Sequence, residues 1–198
     1  MRKIFRAIWK MSRNGKNHRP SSTYLVEQIR SGNHSLAIEA IEQLQEWLYL
    51  QDGTLHEADL SNARLKGVKM AQAKLERVVL NGADLTKCYL GATNLAGAQL
   101  QKAILREGNL RQINLMGADL TEAILEGAHL ADSNLADAVL VKANFNKANL
   151  WKARLHGANL TEATLTGANL SNALFDERTI LPDGRQWDAT ADLAIFTG

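Results

Sequence analysis

The chain has 198 residues, of which 45% are hydrophobic, and its 23 Lys and Arg residues against 21 Asp and Glu residues give a formal net charge of +2. A chain of this size and composition can bury a core, which excludes wholesale disorder. The single cysteine excludes a disulfide framework and a zinc site built from several cysteines. No apolar run is long enough to span a bilayer, and Arg6 and Lys10 interrupt any signal-peptide core, so we expect a cytoplasmic protein.

The first 20 residues form a basic N-terminal tail, with seven basic residues and no acidic one. In a helix, the basic and the apolar side chains would lie on different sides. Such a segment is typical of a solubilising tail or of a weak anchor for a membrane surface or a partner, with nucleic-acid contact as a third interpretation. An anchored chain would be membrane-peripheral. The candidate anchor residues are Arg2, Lys3, Phe5, Arg6, Trp9 and Lys10.

Residues 21–52 carry the pattern of two helices. Ser22 or Thr23 is suited to begin a first helix that Gly32 ends, and Asn33 is suited to cap a second. We expect this N-terminal helical cap to close the end of the next domain, with docking of a partner as the alternative. The expected apolar face of the second helix comprises Leu36, Ala37, Ala40, Ile41, Leu44, Trp47 and Leu48.

A five-residue repeat fills residues 53–177. Every fifth residue from Leu55 to Phe175 is large and apolar, and 22 of these 25 central positions are Leu. Two residues before each central position the side chain is small or apolar, and 17 of these 25 residues are Ala. This pattern fits neither the 3.6-residue period of a helix nor the alternation of a strand. It predicts an all-β solenoid, in which stacked coils bury a continuous core.

The repeat units read A-[D/N]-L-x-x, as in residues 83–87, 118–122 and 168–172, and this closely resembles the pentapeptide-repeat family. The resemblance covers nearly two-thirds of the chain. It implies a right-handed quadrilateral β-helix with four units in each coil, hence about six coils. Residues 20 apart should then stack in columns, which places Phe145 between Leu125 and Leu165 in the lumen. Cys88 stands at an Ala position and is expected to be buried.

The repeat ends after Phe175, and residues 178–198 are expected to form a C-terminal cap and tail. Pro182 cannot donate to a hydrogen-bond ladder, and Asp183 with Gly184 predicts a turn. We expect Trp187 to fold back over the last coil. This ending resembles those of bacterial family members, some of which dimerise through their C-terminal ends, so a homodimer is one expectation. The apolar tail residues are Leu193, Ile195 and Phe196.

The sequence offers no catalytic, metal or cofactor site, and we expect a protein that is not an enzyme. A lumen filled with Leu and Ala leaves no pocket in which reacting groups could converge. His56 and His156 share a column but lie five coils apart, too far to hold one metal ion. Acidic residues such as Asp119 and Glu122 lie on a regular exposed face, where solvated carboxylates are the ordinary case.

Outward apolar residues are the remaining clue to function. They favour a rigid protein–protein interaction module or scaffold that binds an unidentified protein, although β-propensity alone also accounts for them. The candidate contact residues are Ile104, Ile124, Val139, Val141 and Trp151.

Two alternatives stay open. Some family members imitate DNA to inhibit DNA gyrase, a type II topoisomerase, but that mechanism requires an acidic rod. The repeat region here has 13 basic and 13 acidic residues. Nor does it carry a basic stripe with stacking aromatic residues, so we expect no direct nucleic-acid binding. The second alternative is a weak membrane-surface contact made by residues 1–13.

Overall fold

The computed structural model describes residues 20–198. Helix α1 spans Ser22–Arg30 and helix α2 spans His34–Glu46. A short helix α3, Ala194–Thr197, lies at the C-terminal end. Between them the chain forms a regular rod of turns joined by single-residue parallel β-bridges. Among residues 20–198, no helix is long and apolar enough to cross a membrane.

The rod has four walls because the bridges from Asp59 to Leu174 join residues 20 apart. The bridging residue always precedes the central residue of its unit, as in the bridge between Ile104 and Ile124. We name the walls by their first bridging residue and continue each every 20 residues. Wall A begins at Asp59, wall B at Arg64, wall C at Lys69 and wall D at Lys74. The two residues after each central residue turn the corner, so corner CD, for example, follows wall C.

Backbone hydrogen bonds between coils hold the walls together. Ile104 N–H donates to the Ala83 carbonyl at 2.9 Å in the preceding coil, and Leu105 N–H donates to the Ile124 carbonyl at 2.7 Å in the next. Glu107 N–H, at the corner, also reaches the next coil, at 3.0 Å. The N–H two residues before each central residue closes the preceding turn. Four of the five N–H groups in such a unit are therefore satisfied by the backbone.

The Asp or Asn of the repeat satisfies the fifth N–H group. Asp84 Oδ1 accepts a hydrogen bond from Thr86 N–H at 3.0 Å and another from the Thr86 hydroxyl at 2.6 Å. The same turn from side chain to backbone recurs where Asn114 accepts from Met116 N–H. The repeat thus favours Asp or Asn before the central Leu because the backbone leaves one donor there.

Removing one of these carboxylates tests this role. We expect Asp84→Ala to lower the free energy of unfolding by about 1 kcal/mol, because Thr86 N–H loses its intramolecular acceptor. Asp84→Asn keeps the Oδ1 acceptor, and we expect it to change stability by less than about 0.5 kcal/mol. Urea denaturation followed by circular dichroism measures both. Equal losses in the two variants would contradict the assignment.

Corner geometry explains where the repeat places glycine. The second corner residue has a positive φ in every unit from Glu57 to Asn172, with φ of 59° at both of those residues. The positive φ of this residue and the hydrogen bond across the corner together define a type II turn. Glycine adopts such a φ without strain. At Gly117, where φ is 64°, nothing lies within 4 Å of an added Cβ, so backbone conformation rather than space favours glycine there.

The lumen is filled by the central residues and by the small residues that precede them. Phe145 is fully buried, and the bridges of its unit place it between Leu125 and Leu165, as predicted. Cys88 is also buried, as predicted, and burial raises the pKa of its thiol to about 12. Thr93 takes an Ala position, where its hydroxyl donates to the Met70 carbonyl at 2.8 Å.

Helices α1 and α2 pack against each other and against the first coil. Ser21 caps α1 and Asn33 caps α2. The buried side chains of both helices join the core of the rod. Arg30 forms an ion pair with Asp59 at 3.1 Å, which ties α1 to wall A.

The predicted apolar face of α2 is wrong at two residues. Leu36 is exposed, and Leu48 is 66% exposed because α2 ends at Glu46 and Leu48 adopts a φ of 59° beyond it. Trp47, at the C-cap, is half-buried.

The hydrogen-bond ladder continues beyond Phe175 with one residue inserted, which the five-residue count missed. Ile180 bridges Asn159, 21 residues earlier, and Leu181 lies buried beside it. Thr179, fully buried, donates its hydroxyl to the Leu155 carbonyl at 2.9 Å. The next segment turns back, so that Ile180 also forms an antiparallel bridge with Gln186.

Trp187 then stacks on Phe175, as predicted, with ring centroids 5.9 Å apart.

Asp176 holds this C-terminal segment and makes it sensitive to pH. Gly157 N–H donates to Asp176 Oδ1 at 2.7 Å, and Arg178 pairs with Oδ2 at 2.8 Å. Burial raises the pKa of Asp176, but the hydrogen bonds from Gly157 and Arg178, the contact with the Thr179 hydroxyl and the charge of Arg178 outweigh burial and lower the pKa to about 2.

Because the folded-state pKa is depressed, the stabilisation is complete above the usual carboxyl pKa and is lost as pH falls toward about 2. We expect Asp176→Asn to unfold at a lower denaturant concentration than the parent chain at pH 7. The gap should close as pH falls from about 4 to about 2. Urea midpoints at several pH values measure it. A gap that stays constant with pH would contradict a role for this charge.

Candidate protein interaction surface

The predicted contact residues divide between opposite corners of the rod. Ile104 and Ile124 stack on wall B, and Val139 lies on the adjoining wall A. Val141 lies at corner AB, between these walls. Ile104, Ile124 and Val141 are half-buried, and Val139 is 37% exposed. These four residues lie on two adjoining walls and the corner between them, and we call them the AB patch.

Trp151 lies at corner CD, diagonally across the rod from the AB patch. The sequence predicted an exposed indole. This prediction is wrong in the extent of exposure, because Trp151 is half-buried. The Lys152 ammonium lies over its ring, 4.2 Å from the centroid. Ala131, one coil earlier in the same column, is buried, although most residues at its position in the repeat are not. Because Trp151 lies at the opposite corner of the rod, it cannot belong to the AB patch.

The C-terminal end exposes apolar side chains of its own. Leu174 is 48% exposed and Ile195 is 59% exposed, while Leu170, Phe175 and Phe196 are partly buried. Gly167 N–H donates to the Thr197 carbonyl at 2.7 Å, so α3 lies over the last coil and covers part of it. Leu174 was not among the predicted contact residues, because the sequence did not show that the ladder on wall D ends at this residue.

Charge is distributed unevenly around the walls. Walls C and D together with corner CD, which we call the CD side, carry one acidic residue, Asp132. They carry five basic residues, Lys69, Lys74, Arg111, Lys152 and Arg154. Over the part of the chain that the structure describes, none of these five forms an ion pair. Sorting the charges of the sequence by their position in a 20-residue coil would have found this asymmetry.

Basic residues elsewhere on the rod are mostly neutralised. Five of the eight pair with a Glu in the adjacent coil, at N–O distances from 3.1 to 3.7 Å. The pairs are Arg77 with Glu57, Lys87 with Glu107, Lys102 with Glu122, Arg106 with Glu126, and Lys142 with Glu162. Exposed pairs of this kind add little stability, but they cancel the local field.

Wall D also carries a ladder of amides and an open groove. Asn114 Nδ2 donates to Asn94 Oδ1 at 2.8 Å, and Asn134 Nδ2 donates to Asn114 Oδ1 at 3.0 Å. The groove beyond this ladder is lined by Asp132, Lys152, Arg154, Asn172 and Leu174.

Within residues 20–198, no group of three or more His, Cys, Asp or Glu side chains is placed to hold a metal ion. The candidate anchor residues Arg2, Lys3, Phe5, Arg6, Trp9 and Lys10 lie outside the described residues.

The walls, the corner turns and the buried central residues define a β-solenoid built from five-residue repeats. A family model of pentapeptide repeats matches the chain in eight copies, over residues 49–82, 73–112, 113–151 and 138–176. The chain belongs to the pentapeptide-repeat family, whose members form right-handed quadrilateral β-helices. A comparison with curated proteins gives no match.

Several solved structures are similar to the chain. HetL, a pentapeptide repeat protein involved in heterocyst differentiation regulation from the cyanobacterium Nostoc sp. strain PCC 7120, is 31% identical. That match covers 67% of this chain and 76% of HetL, with a TM-score of 0.33. A pentapeptide repeat protein from the Arabidopsis thaliana thylakoid lumen is 29% identical, over 55% of this chain and 71% of that protein, with a TM-score of 0.44.

QnrB1, a plasmid-mediated fluoroquinolone resistance protein, is 16% identical, over 73% of this chain and 81% of QnrB1, with a TM-score of 0.39.

Proposed function

We propose that the chain is a non-catalytic protein–protein interaction module, a rod of about six coils closed at its N-terminal end by helices α1 and α2. The observation that carries this proposal is the filled lumen. The central residues from Leu55 to Leu160 are almost completely buried, and backbone hydrogen bonds link each coil to the next. The side chains that differ from unit to unit lie on the outside, in columns that the ladder fixes in place. Such a surface loses little conformational entropy when a partner binds.

The AB patch, Trp151 and the C-terminal end are the surfaces proposed for contact. The C-terminal end suits a homodimer, because Leu174 and Ile195 are exposed beside a partly covered last coil. Light scattering of the parent chain and of Ile195→Asp tests this. A dimer that the substitution converts to a monomer supports it, and a parent chain that is monomeric at high concentration contradicts it.

Inhibition of a type II topoisomerase by DNA mimicry is the alternative function. It requires a continuous acidic surface, and the basic CD side weighs against it. A supercoiling assay with DNA gyrase decides, because a mimic inhibits at low stoichiometry and a scaffold does not.

A cytoplasmic, membrane-peripheral protein anchored by residues 1–13 is the remaining proposal. Flotation with anionic liposomes, with and without these residues, tests it.

Affinity capture tests the main proposal. The full chain is immobilised beside an unrelated β-solenoid, and both are incubated with native lysate of the source organism. Each recovered protein is purified and measured against the chain by calorimetry. We expect at least one protein to bind with defined stoichiometry, and Ile124→Ser/Val139→Ser and Trp151→Ala to show which surface it uses. Recovery of nothing beyond what the unrelated solenoid captures would contradict the proposal.

A further inference from the structure

We propose that the CD side of the rod is the docking surface, and that its partner is an acidic protein surface. This inference rests on the proposed function and deepens it by naming the wall and the chemistry of the partner. The inference is based on the cations of this side, which form no ion pair within residues 20–198. Most other basic residues of the rod, in contrast, pair with Glu residues of an adjacent coil.

The cations of the CD side are arranged in levels along the rod. Lys69 and Lys74 belong to the coil of residues 55–74, Arg111 to that of residues 95–114, and Lys152 and Arg154 to that of residues 135–154. Successive levels are thus two coils apart, or about 10 Å at the usual spacing between strands. Three residues of an extended chain span the same distance, so an acidic segment lying along the rod can reach all three levels.

The residue types of the CD side are suited to a protein partner. Trp151 and two arginines, Arg111 and Arg154, are the residue types that dominate binding energy in protein interfaces. Leu174 adds exposed apolar surface to the groove beside Arg154. The Asn ladder of wall D offers amide groups to polar side chains of a partner.

The same side is poorly suited to nucleic acid. Base stacking needs an accessible aromatic face. Tyr89, with Lys69 5.9 Å from its ring centroid, is the one exposed Phe, Tyr or Trp ring of the CD side. Trp151 is half-buried with Lys152 over its ring at 4.2 Å, so no row of stacking faces is present there. Asp132 interrupts the positive surface at corner CD, where a phosphate backbone would be repelled.

Binding of poly-L-glutamate to the full chain tests the inference. Lys74→Glu/Arg111→Glu/Arg154→Glu reverses three exposed cations of the CD side. Arg64→Glu/Lys66→Glu/Lys147→Glu, the matched control, reverses three cations on wall B and corner BC that also form no ion pair within residues 20–198. We expect the first variant to bind at least ~10-fold more weakly than the parent chain, and the control to stay within ~3-fold. Lys74→Gln/Arg111→Gln/Arg154→Gln replaces the reversal variant if circular dichroism shows that the latter is unfolded.

Two outcomes would overturn the inference. Equal losses in both reversal variants would show that net charge, rather than the CD side, attracts the polymer. A 20-base-pair duplex that binds more tightly than poly-L-glutamate would assign the CD side to nucleic acid. Either outcome leaves the capture experiment unaffected, so the interaction module can stand when this inference fails.

Discussion

Val139→Pro is expected to lower the free energy of unfolding by about 2–4 kcal/mol, the loss of one hydrogen bond together with a carbonyl left without its donor. Val139 N–H donates to the Ala118 carbonyl at 2.9 Å, and the Val139 carbonyl accepts from Leu120 N–H at 2.7 Å. Proline removes the donor and places its ring against the preceding coil, so one bond of the ladder on wall A is lost and the Ala118 carbonyl is left without it. Urea denaturation followed by circular dichroism measures the loss.

Val141→Pro is the matched control, two residues further along the same unit. Val141 is the first corner residue, and within residues 20–198 its N–H donates no backbone hydrogen bond. Proline is favoured at that position of a type II turn, so we expect a change in stability of less than about 1 kcal/mol. Val139→Ala separates the loss of the side chain from the loss of the N–H. Equal effects of the two proline variants would contradict the described hydrogen-bond pattern.

Phe145→Ala is expected to cost about 3–5 kcal/mol, because a large ring that is fully buried leaves a cavity in the lumen. The neighbouring coils are linked to this one by hydrogen bonds, such as the one from Phe145 N–H to the Thr164 carbonyl at 2.8 Å. They therefore cannot collapse far into the space.

Phe145→Leu restores the residue that the repeat prefers. We expect it to cost less than about 1.5 kcal/mol, because Leu fills the same position in 22 of the 25 units. Denaturation of the three chains under one set of conditions gives both differences. A Leu variant as unstable as the Ala variant would mean that the lumen at this coil depends on the ring itself rather than on filled volume.

The period of the repeat made the fold predictable, and a break in the period hid one element. A central Leu every fifth residue determines which side chains enter the lumen, so the burial of Phe145 and of Cys88 followed from counting. Thr179, Ile180 and Leu181 extend the ladder with one extra residue, and counting by fives could not find them. The sequence signal that could have revealed this extension is a small residue followed directly by an apolar residue and a Leu.

The surface was less predictable than the core, because contacts between side chains decide it. The half-burial of Trp151 and the cation over its ring depend on rotamers that spacing does not specify. The distribution of charge among the walls, in contrast, was present in the sequence. It becomes visible when Lys74, Arg111 and Arg154 are assigned to their walls by the 20-residue coil.

The most direct test of the interaction module is capture from native lysate by three chains side by side: the parent, the triple variant of the CD side and its matched control on wall B and corner BC. Quantitative mass spectrometry compares the proteins that each chain recovers. We expect an acidic protein that the parent and the control recover equally and that the CD variant loses. Recovery of the same proteins by all three chains would contradict the CD side as the docking surface, and recovery of none beyond background would contradict the interaction module.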